Sequence, residues 1–121
     1  MFFFILGIDD SSWIYYAQSN GNGTFSNYRT LWQLGGGNSR GVGIEDFDGD
    51  GDLDFIAGRG IGSTAYYHLF INDGSDNFTD TGIAGTLSNA NGYAMDMAAG
   101  DFNNDGRMDF VANGNSFNTG I

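Results

Sequence analysis

Short runs of apolar and aromatic residues recur along the chain, and clusters of Gly, Asn and Asp separate them. Apolar runs of this length between turn-forming residues are typical of β-strands rather than helices. We therefore predict a strand in each run. The predicted strands are residues 2–7, 13–18, 28–34, 40–44, 54–58, 66–72, 82–87, 93–99 and 109–113.

The composition agrees with this pattern. The 121 residues include 21 glycines and no proline, and 16% of them are aromatic. Glycine is poorly tolerated inside long helices, whereas aromatic residues favour strands. A chain of this length also has room for one domain at most. The expected fold class is all-β.

Two segments of the chain each occur twice. Residues 19–25, SNGNGTF, match residues 72–78, NDGSDNF, with an offset of 53, and residues 44–58 match residues 99–113 with an offset of 55. Each period holds about four of the predicted strands. Repeats of this length predict sheets that bury their faces by stacking on their neighbours.

We divide the chain into a first unit at residues 1–58 and a second at residues 59–121, which includes the start of a third. The expected architecture is two tandem four-stranded antiparallel blades of the β-propeller kind. Because a closed propeller has about four to eight blades, two units predict an incomplete propeller or a repeat array. The chain is then either an excerpt of a longer protein or a protomer that completes its sheets with other copies.

The net charge of −11, with only four Lys and Arg, excludes the basic surface that nucleic acid and anionic membranes require. No apolar run approaches the roughly 18 residues of a membrane span, so we expect no membrane insertion. The apolar start MFFFILG lacks the basic region and cleavage site of a signal peptide, and we interpret it as a strand. The absence of cysteine excludes disulfides and thiolate sites.

Most of the acidic residues lie in or beside two short loops, at residues 46–54 (loop one) and 101–109 (loop two). Calcium takes six to eight oxygen ligands, and alternate residues around a glycine turn can direct their oxygens to one point. We therefore predict two Ca²⁺ sites. The candidate ligands are Asp46, Asp48, Asp50, the carbonyl of Asp52 and Asp54 in loop one, and Asp101, Asn103, Asp105, the carbonyl of Arg107 and Asp109 in loop two.

An EF-hand shares the opening of this pattern, but it requires Glu at the twelfth position and flanking helices. Ala57 and Ala112 occupy that position, and strands are predicted next to both loops. The other alternative is a solvated acidic turn without metal, which would hold like charges close together without compensation. Loop one offers four carboxylates, whereas loop two offers three and an amide, so we predict tighter binding in loop one.

The segments DFDGDGDLDF and DFNNDGRMDF resemble the calcium loops of FG-GAP or VCBS repeats, the blades of integrin-α-type β-propellers. The turns NGNGTF and INDGSDNF resemble the N-x-G-x-x-F turn of the same family. The resemblance implies blades of four antiparallel strands, with calcium holding the hairpin between two of them. It also implies an extracellular or cell-surface location, in adhesion proteins, lectin-like modules or domains attached to secreted enzymes.

Few other residues indicate a catalytic, binding or modification site. His68 is the only histidine and has no nucleophile or zinc-ligand cluster in the sequence around it, so we expect an ordinary strand residue. Clustered Asp on a glycine-rich loop does not resemble a glycosidase pair, and a closed calcium shell leaves little room to activate water. We therefore expect no enzyme activity. Candidate sugar-stacking residues are Trp13, Tyr15 and Tyr67, and candidate N-x-T glycosylation sites are Asn22 and Asn77.

Two functions fit these observations. The first is a calcium-binding extracellular module for adhesion or for binding a protein or glycan ligand, in which calcium is structural. The alternative is a self-assembling structural protein, an oligomeric ring or an extracellular fibre, in which copies of the chain complete each other's sheets. The partners are accordingly a ligand or copies of the same chain.

Overall fold

The computed structural model describes residues 3–8, 13–33, 35, 41–88 and 94–114. Every regular element in these ranges is a β-strand, which confirms the all-β fold class. Each predicted strand overlaps an observed one. The strands are β1 (Phe3–Ile8), β2 (Trp13–Ser19), β3 (Phe25–Gln33), β4 (Val42–Glu45), β5 (Asp54–Ile61), β6 (Thr64–Asn72), β7 (Phe78–Leu87), β8 (Ala94–Gly100) and β9 (Asp109–Gly114).

The strands form three antiparallel sheets. The first sheet has the order β1-β2-β3, the second β4-β5-β6-β7 and the third β8-β9. In the second sheet each strand pairs with the next strand in the chain, so this sheet is a four-stranded up-and-down blade. Within the described ranges the sheets do not close into a ring, in agreement with an incomplete propeller. These ranges contain no helix that could cross a membrane.

The second sheet crosses the boundary that we drew between the two repeat units. Strand β5 spans Asp54–Ile61, so residue 58 lies inside it. A sequence period gives the length of a repeat, but it does not show at which strand a sheet begins. The division at residue 58 therefore stays a prediction about the sequence repeat.

The first sheet repeats the register of the last two strands of the second. Tyr15 pairs with Thr30 in the first sheet, and His68 pairs with Ile83 in the second, at the offset of 53 that relates the two turns. Strands β2 and β3 are thus the equivalents of β6 and β7. Strands β8 and β9 are the equivalents of β4 and β5 at the offset of 55.

A first hydrophobic core joins the first sheet to the second. Ile14 and Tyr16 of β2 are buried against Phe55, Ala57 and Phe70. The rings of Phe55 and Phe70 stack with their centroids 4.5 Å apart. This core determines how the first sheet lies against the blade that carries loop one.

A second core joins the second sheet to the third. Ile56 and Tyr67 are buried there, with Met97 and Phe110 of the third sheet packed against them. Neighbouring residues of β5 therefore lie in different cores: Phe55 lies in the first core and Ile56 in the second. A strand covered on both faces needs no polar alternation, which explains the continuous apolar run after loop one.

Candidate metal centre

Loop one connects β4 to β5, so its acidic residues lie in a hairpin at one end of the second sheet. Asp46 organises the loop. Its Oδ1 accepts hydrogen bonds from the backbone amides of Gly49 (2.7 Å) and Asp50 (3.1 Å), and its Oδ2 accepts one from Gly51 (2.9 Å). Gly51 has a φ of 98°, which residues with a side chain rarely adopt. The loop is therefore wound around the carboxylate of its first residue.

Three carboxylates converge in loop one. One oxygen each from Asp46, Asp48 and Asp50 lies within 4.8 Å of the other two. Oxygens bound to one calcium ion at about 2.3 to 2.6 Å fall within such a separation. This triad could hold a metal ion.

Neighbouring groups of loop one affect the pKa of Asp48. A hydrogen bond from the Asp50 amide lowers this pKa, but partial loss of solvent and repulsion by the carboxylates of Asp54 and Asp50 outweigh it. The net effect is a pKa above the usual value for Asp. A raised pKa of a carboxyl group near like charges means that its ionised form is disfavoured, and a bound cation would remove that penalty.

Asp54 closes loop one from inside the protein. It is fully buried, at 0% exposure, and begins β5. Its Oδ2 accepts hydrogen bonds from the amides of Phe47 (2.8 Å) and Asp48 (3.3 Å), and its Oδ1 accepts one from the amide of Asn72 (2.9 Å). Both oxygens thus hold backbone in place, whereas the converging triad consists of three other residues. Metal ligation by Asp54 stays a prediction.

The turn at residues 72–78 (turn two), between β6 and β7, rests on loop one. The Nδ2 of Asn72 donates to the carbonyl of Leu53 at 3.1 Å. The carboxylate of Asp52 lies over Gly74, where its Oδ2 would stand only 2.8 Å from a β-carbon on that residue. A side chain at residue 74 would therefore require the Asp52 carboxylate to move away from turn two.

Turn two also contacts the first sheet. The Tyr16 hydroxyl donates a 2.6 Å hydrogen bond to the Asp76 carboxylate, and the Arg29 guanidinium donates to the Asp76 carbonyl. Burial, this hydrogen bond and the charge of Asp76 raise the pKa of Tyr16 to about 12, although the charge of Arg29 lowers it. A continuous path of contacts thus leads from loop one through turn two to the first sheet.

Loop two, between β8 and β9, repeats the scaffold of loop one. Asp101 accepts hydrogen bonds from the amides of Asp105 (3.0 Å) and Gly106 (2.8 Å), as Asp46 does from the equivalent amides. Asn103 takes the place of Asp48, and its Nδ2 donates to the Asp105 carboxylate at 3.2 Å. An amide and a carboxylate attract each other where loop one has two carboxylates.

The last part of loop two is less enclosed than its counterpart. Asp109 accepts a hydrogen bond from the Phe102 amide at 3.2 Å and is half-buried. Arg107, expected to offer only its carbonyl, has an exposed side chain. The predicted ligand set of loop two, like that of loop one, stays a prediction about metal binding.

The remaining predicted residues are not part of loop one or loop two. Asn22 and Asn77 are exposed in the β2–β3 and β6–β7 turns, where the Asn77 Nδ2 donates to Asp73 at 3.0 Å. Tyr67 packs against Phe110 with ring centroids 5.8 Å apart, so it lies in the second core rather than on an accessible face. Tyr15 is partly exposed and Trp13 half-buried.

His68 lies in β6, buried, with its Nδ1 3.0 Å from the Asp80 carboxylate. Its Nε2 has no hydrogen-bond partner among the described residues. The position in a strand agrees with the sequence interpretation, whereas the contact with the Asp80 carboxylate was not anticipated.

Sequence reasoning did not identify Asn72, Asp76 or Tyr16 as residues connected to the loops. The repeated turn drew attention to positions 72 and 76, but not to what they contact. Tyr16 and Asp76 are 60 positions apart, and nothing in either segment indicates the pairing. Only the stacking of the two sheets brings them together.

Comparison with known protein families identifies the family of the chain. A family model described as an FG-GAP-like repeat matches residues 3–57 and again residues 46–112. The chain belongs to the FG-GAP-like repeat family. The two matches overlap in loop one, which closes the first and opens the second. No curated protein and no solved structure matches the chain. Family membership and the stacked antiparallel sheets together indicate a β-propeller-type binding module.

Proposed function

We propose that this FG-GAP-like module binds calcium in loops one and two, and that the ion has a structural rather than a catalytic role. The module would act outside the cell or at its surface, in adhesion or in binding a protein or glycan ligand. Its family supports the binding role. The carboxylate triad of loop one supports the metal.

Calcium fits the donors better than other common ions. The loops offer carboxylate, amide and carbonyl oxygens, without the His or Cys ligands that zinc prefers. Magnesium demands near-ideal octahedral geometry, whereas calcium accepts the irregular ligand sets of flexible loops. Modest affinity is sufficient for calcium sites of extracellular modules, and exposed carboxylates such as Asp48 and Asp50 suit that range.

The convergence of Asp46, Asp48 and Asp50 is the observation that carries this proposal. Through Asp54 and Asn72, the same loop is attached to the neighbouring turn. An ion that binds only the folded loop adds stability by mass action, about 2.7 kcal/mol at a hundred times its Kd. Calcium in loop one would therefore stabilise the junction of the first and second sheets.

The test is thermal unfolding in calcium, in magnesium and in EGTA, combined with calorimetric titration. We expect calcium to raise the Tm clearly above its value in EGTA, and magnesium to raise it less. Asp50→Asn should reduce the calcium effect, whereas Asp73→Asn, an exposed carboxylate of turn two outside the triad, should leave it unchanged. Equal Tm values in calcium and EGTA would contradict calcium binding.

Surface location and ligand class need separate measurements. Cell adhesion or glycan-array binding that depends on calcium would support the extracellular role. Glycosylation at Asn22 or Asn77 requires an accessible side chain, and both residues are exposed. An intact mass equal to that of the bare chain from a glycosylating host would remove this modification.

A further inference from the structure

The chain contains four Asn-Gly pairs, at residues 20–21, 22–23, 91–92 and 113–114. In such a pair the backbone amide of the glycine can attack the side-chain carbonyl of the asparagine, because glycine has no β-carbon to shield it. The pair at residues 91–92 lies outside the described residues. The other three pairs differ in how the fold holds their side chains and their glycine amides.

Asn22 lies in the turn between β2 and β3 (turn one, residues 19–25), and its side chain is exposed. Its Oδ1 accepts hydrogen bonds from the Thr24 amide at 3.0 Å and from the Thr24 hydroxyl at 2.5 Å. A hydrogen bond from an Asn side chain to the amide two residues later closes an Asx turn. The Gly23 amide lies between these two residues, so the Asx turn encloses both reacting groups.

Both reacting groups of this pair are in a favourable state. Among the described residues, none accepts a hydrogen bond from the Gly23 amide. The surroundings of Gly23 are open to solvent, since a β-carbon there would meet nothing within 4 Å. The two donors on the Asn22 Oδ1 stabilise the negative charge that this oxygen gains when its carbonyl carbon is attacked. The nucleophile is thus accessible and the carbonyl is polarised.

The first Asn-Gly pair shares the turn but not this arrangement. The Asn20 Oδ1 accepts a hydrogen bond from the Ser26 hydroxyl at 2.7 Å, and the Asn20 Nδ2 donates to the Thr24 hydroxyl at 2.9 Å. The Gly21 amide donates to the Ser19 hydroxyl at 3.2 Å. The Asn20 side chain is therefore held across the turn, and the amide that would attack it already has a partner.

The pair at the end of β9 is held in a strand. The Asn113 Oδ1 accepts a hydrogen bond from the Asp96 amide of β8 at 3.1 Å. Gly114 pairs with Ala94 in the same ladder. In an extended strand the side chain stands out from the sheet, whereas the following amide lies in the plane of the ladder. This pair therefore lacks the folded-back side chain of Asn22.

We propose that Asn22 is a site of spontaneous deamidation, which the fold selects over the other described Asn-Gly pairs. The Gly23 nitrogen loses its proton to solvent and bonds to the Asn22 Cγ, and the side-chain nitrogen takes up a proton and leaves as ammonia. Water then hydrolyses the cyclic succinimide at either of its carbonyls. The product is aspartate or isoaspartate at position 22.

The reaction would change turn one and its candidate glycosylation site. Either product adds a carboxylate to a chain whose net charge is already −11. Isoaspartate also routes the backbone through the side-chain carbon, which lengthens the turn between β2 and β3. Asn22 is the acceptor of an N-x-T sequon, and a glycan would occupy the nitrogen that must leave. Glycosylation and deamidation of Asn22 therefore exclude each other.

Peptide mapping by mass spectrometry tests the proposal on the full chain, made in a host that does not glycosylate and incubated at mildly alkaline pH. We expect a gain of about 1 Da at Asn22 that appears about tenfold faster than at Asn20 or Asn113, because only Asn22 is preorganised for attack. Incubation in heavy-oxygen water should label the new carboxylate and identify the succinimide route. Equal rates at the three positions would overturn the proposal.

Unfolding the same chain in urea separates the effect of the fold from that of the sequence. Without turn one and the β8–β9 ladder, the three pairs consist of the same two residue types in similar surroundings. Their rates should therefore converge. If Asn22 kept its full lead in urea, the local sequence rather than the fold would select it, and the proposal would be overturned.

Two variants of turn one test the arrangement itself. Thr24→Val removes the hydroxyl that donates to the Asn22 Oδ1, and we expect slower deamidation of Asn22. Ser26→Ala is the matched control, since it removes a hydroxyl that contacts Asn20 instead. Circular dichroism should stay β-rich in both. Equal deamidation rates of Asn22 in the two variants would contradict selection by the contacts of turn one.

Discussion

Loops one and two have the same backbone scaffold but different surroundings. In both, the first Asp accepts hydrogen bonds from amides across the turn. Asp54, at the end of loop one, is fully buried and also accepts from Asn72 of the neighbouring turn. Asp109, at the end of loop two, is half-buried, and its described hydrogen bond lies within the loop.

The difference teaches that the sequence of an acidic loop alone does not decide how firmly the loop is attached to the rest of the fold. The ligand spacing is the same in both loops. In loop one the closing residue is attached to turn two, and turn two is attached to the first sheet through Asp76 and Tyr16. We infer that an ion bound in loop one would stabilise the packing of two sheets, whereas an ion bound in loop two would stabilise mainly its own hairpin.

The largest expected effect separates the two closing residues. Asp54→Ala leaves the amides of Phe47, Asp48 and Asn72 without their acceptor, and unsatisfied buried donors are costly. We expect it to lower the free energy of unfolding by about 3 kcal/mol or more. Asp109→Ala should cost only about 1 kcal/mol, since one amide loses its partner in a more open site.

Urea unfolding of both variants in EGTA measures this difference without a contribution from metal. Asp54→Asn is the control, because it keeps an oxygen acceptor and the side-chain size. It should fall between the wild type and Asp54→Ala. Equal losses for the Asp54 and Asp109 alanine variants would show that the two loops are equally attached to the fold.

The next effect concerns affinity, and a reciprocal exchange isolates it. Asp48→Asn gives loop one the amide of loop two, and Asn103→Asp gives loop two the carboxylate of loop one. Since calcium affinity rises with the number of anionic ligands, each change should shift the affinity of its own loop by roughly tenfold, in opposite directions. Calorimetric titration of each variant measures the shift.

The double variant tests whether the ranking belongs to the ligands or to the surroundings. If charge alone decides, the exchanged loops reverse their order of affinity. If loop one stays the tighter site in the double variant, the buried Asp54 and its contacts set the ranking. That result would contradict the explanation by carboxylate number.

A smaller effect is expected where turn two meets the first sheet. Tyr16→Phe removes the hydrogen bond to the Asp76 carboxylate but keeps the ring in the first core. A hydrogen bond to a charged group contributes about 1.5 to 3 kcal/mol, and we expect a loss near the lower limit because Asp76 is partly accessible. Tyr66→Phe, a half-buried tyrosine in β6, is the control. Chemical denaturation that shows no difference between the two variants would exclude a bridging role for Asp76.

The sequence predicted a segment of every strand that the structure describes, and the position of both acidic loops. The spacing of Asp46, Asp48 and Asp50 before Gly51 was sufficient to predict the position of loop one, because the candidate ligands lie close together in the chain. Three strands were predicted too short at their beginnings: β6, which begins at Thr64, and, by a larger margin, β3 and β7. β3 begins at Phe25 and β7 at Phe78. Both strands begin early because the repeated turn is tight. In the first copy of the turn, the Asn20 amide donates a hydrogen bond to the Thr24 carbonyl at 3.0 Å. The Gly-rich and Asn-rich composition of these turns masks how early the strands resume.

The attachment of loop one to its surroundings could not be predicted. Asp54 was expected at the metal, and its burial follows from the packing of β5 between two cores, which no local pattern reveals. The hydrogen bond between Tyr16 and Asp76 joins two sheets. Contacts of this kind depend on how the sheets stack. The sequence period predicts that the sheets stack, but it does not predict which residues meet.

The smallest effect is a loss of stability at alkaline pH, and it tests whether Tyr16 is held in its neutral form. The fold raises the pKa of Tyr16 from 10.0 to about 12, because burial and the nearby Asp76 disfavour the phenolate. The unfolded chain ionises near pH 10, so the stabilisation from Tyr16 is complete below pH 10 and is lost as the pH rises from 10 towards 12. Unfolding midpoints measured across this range should fall more steeply for the wild type than for Tyr16→Phe. Parallel curves would mean that Tyr16 ionises equally well in the folded protein, and that turn two does not hold its hydroxyl.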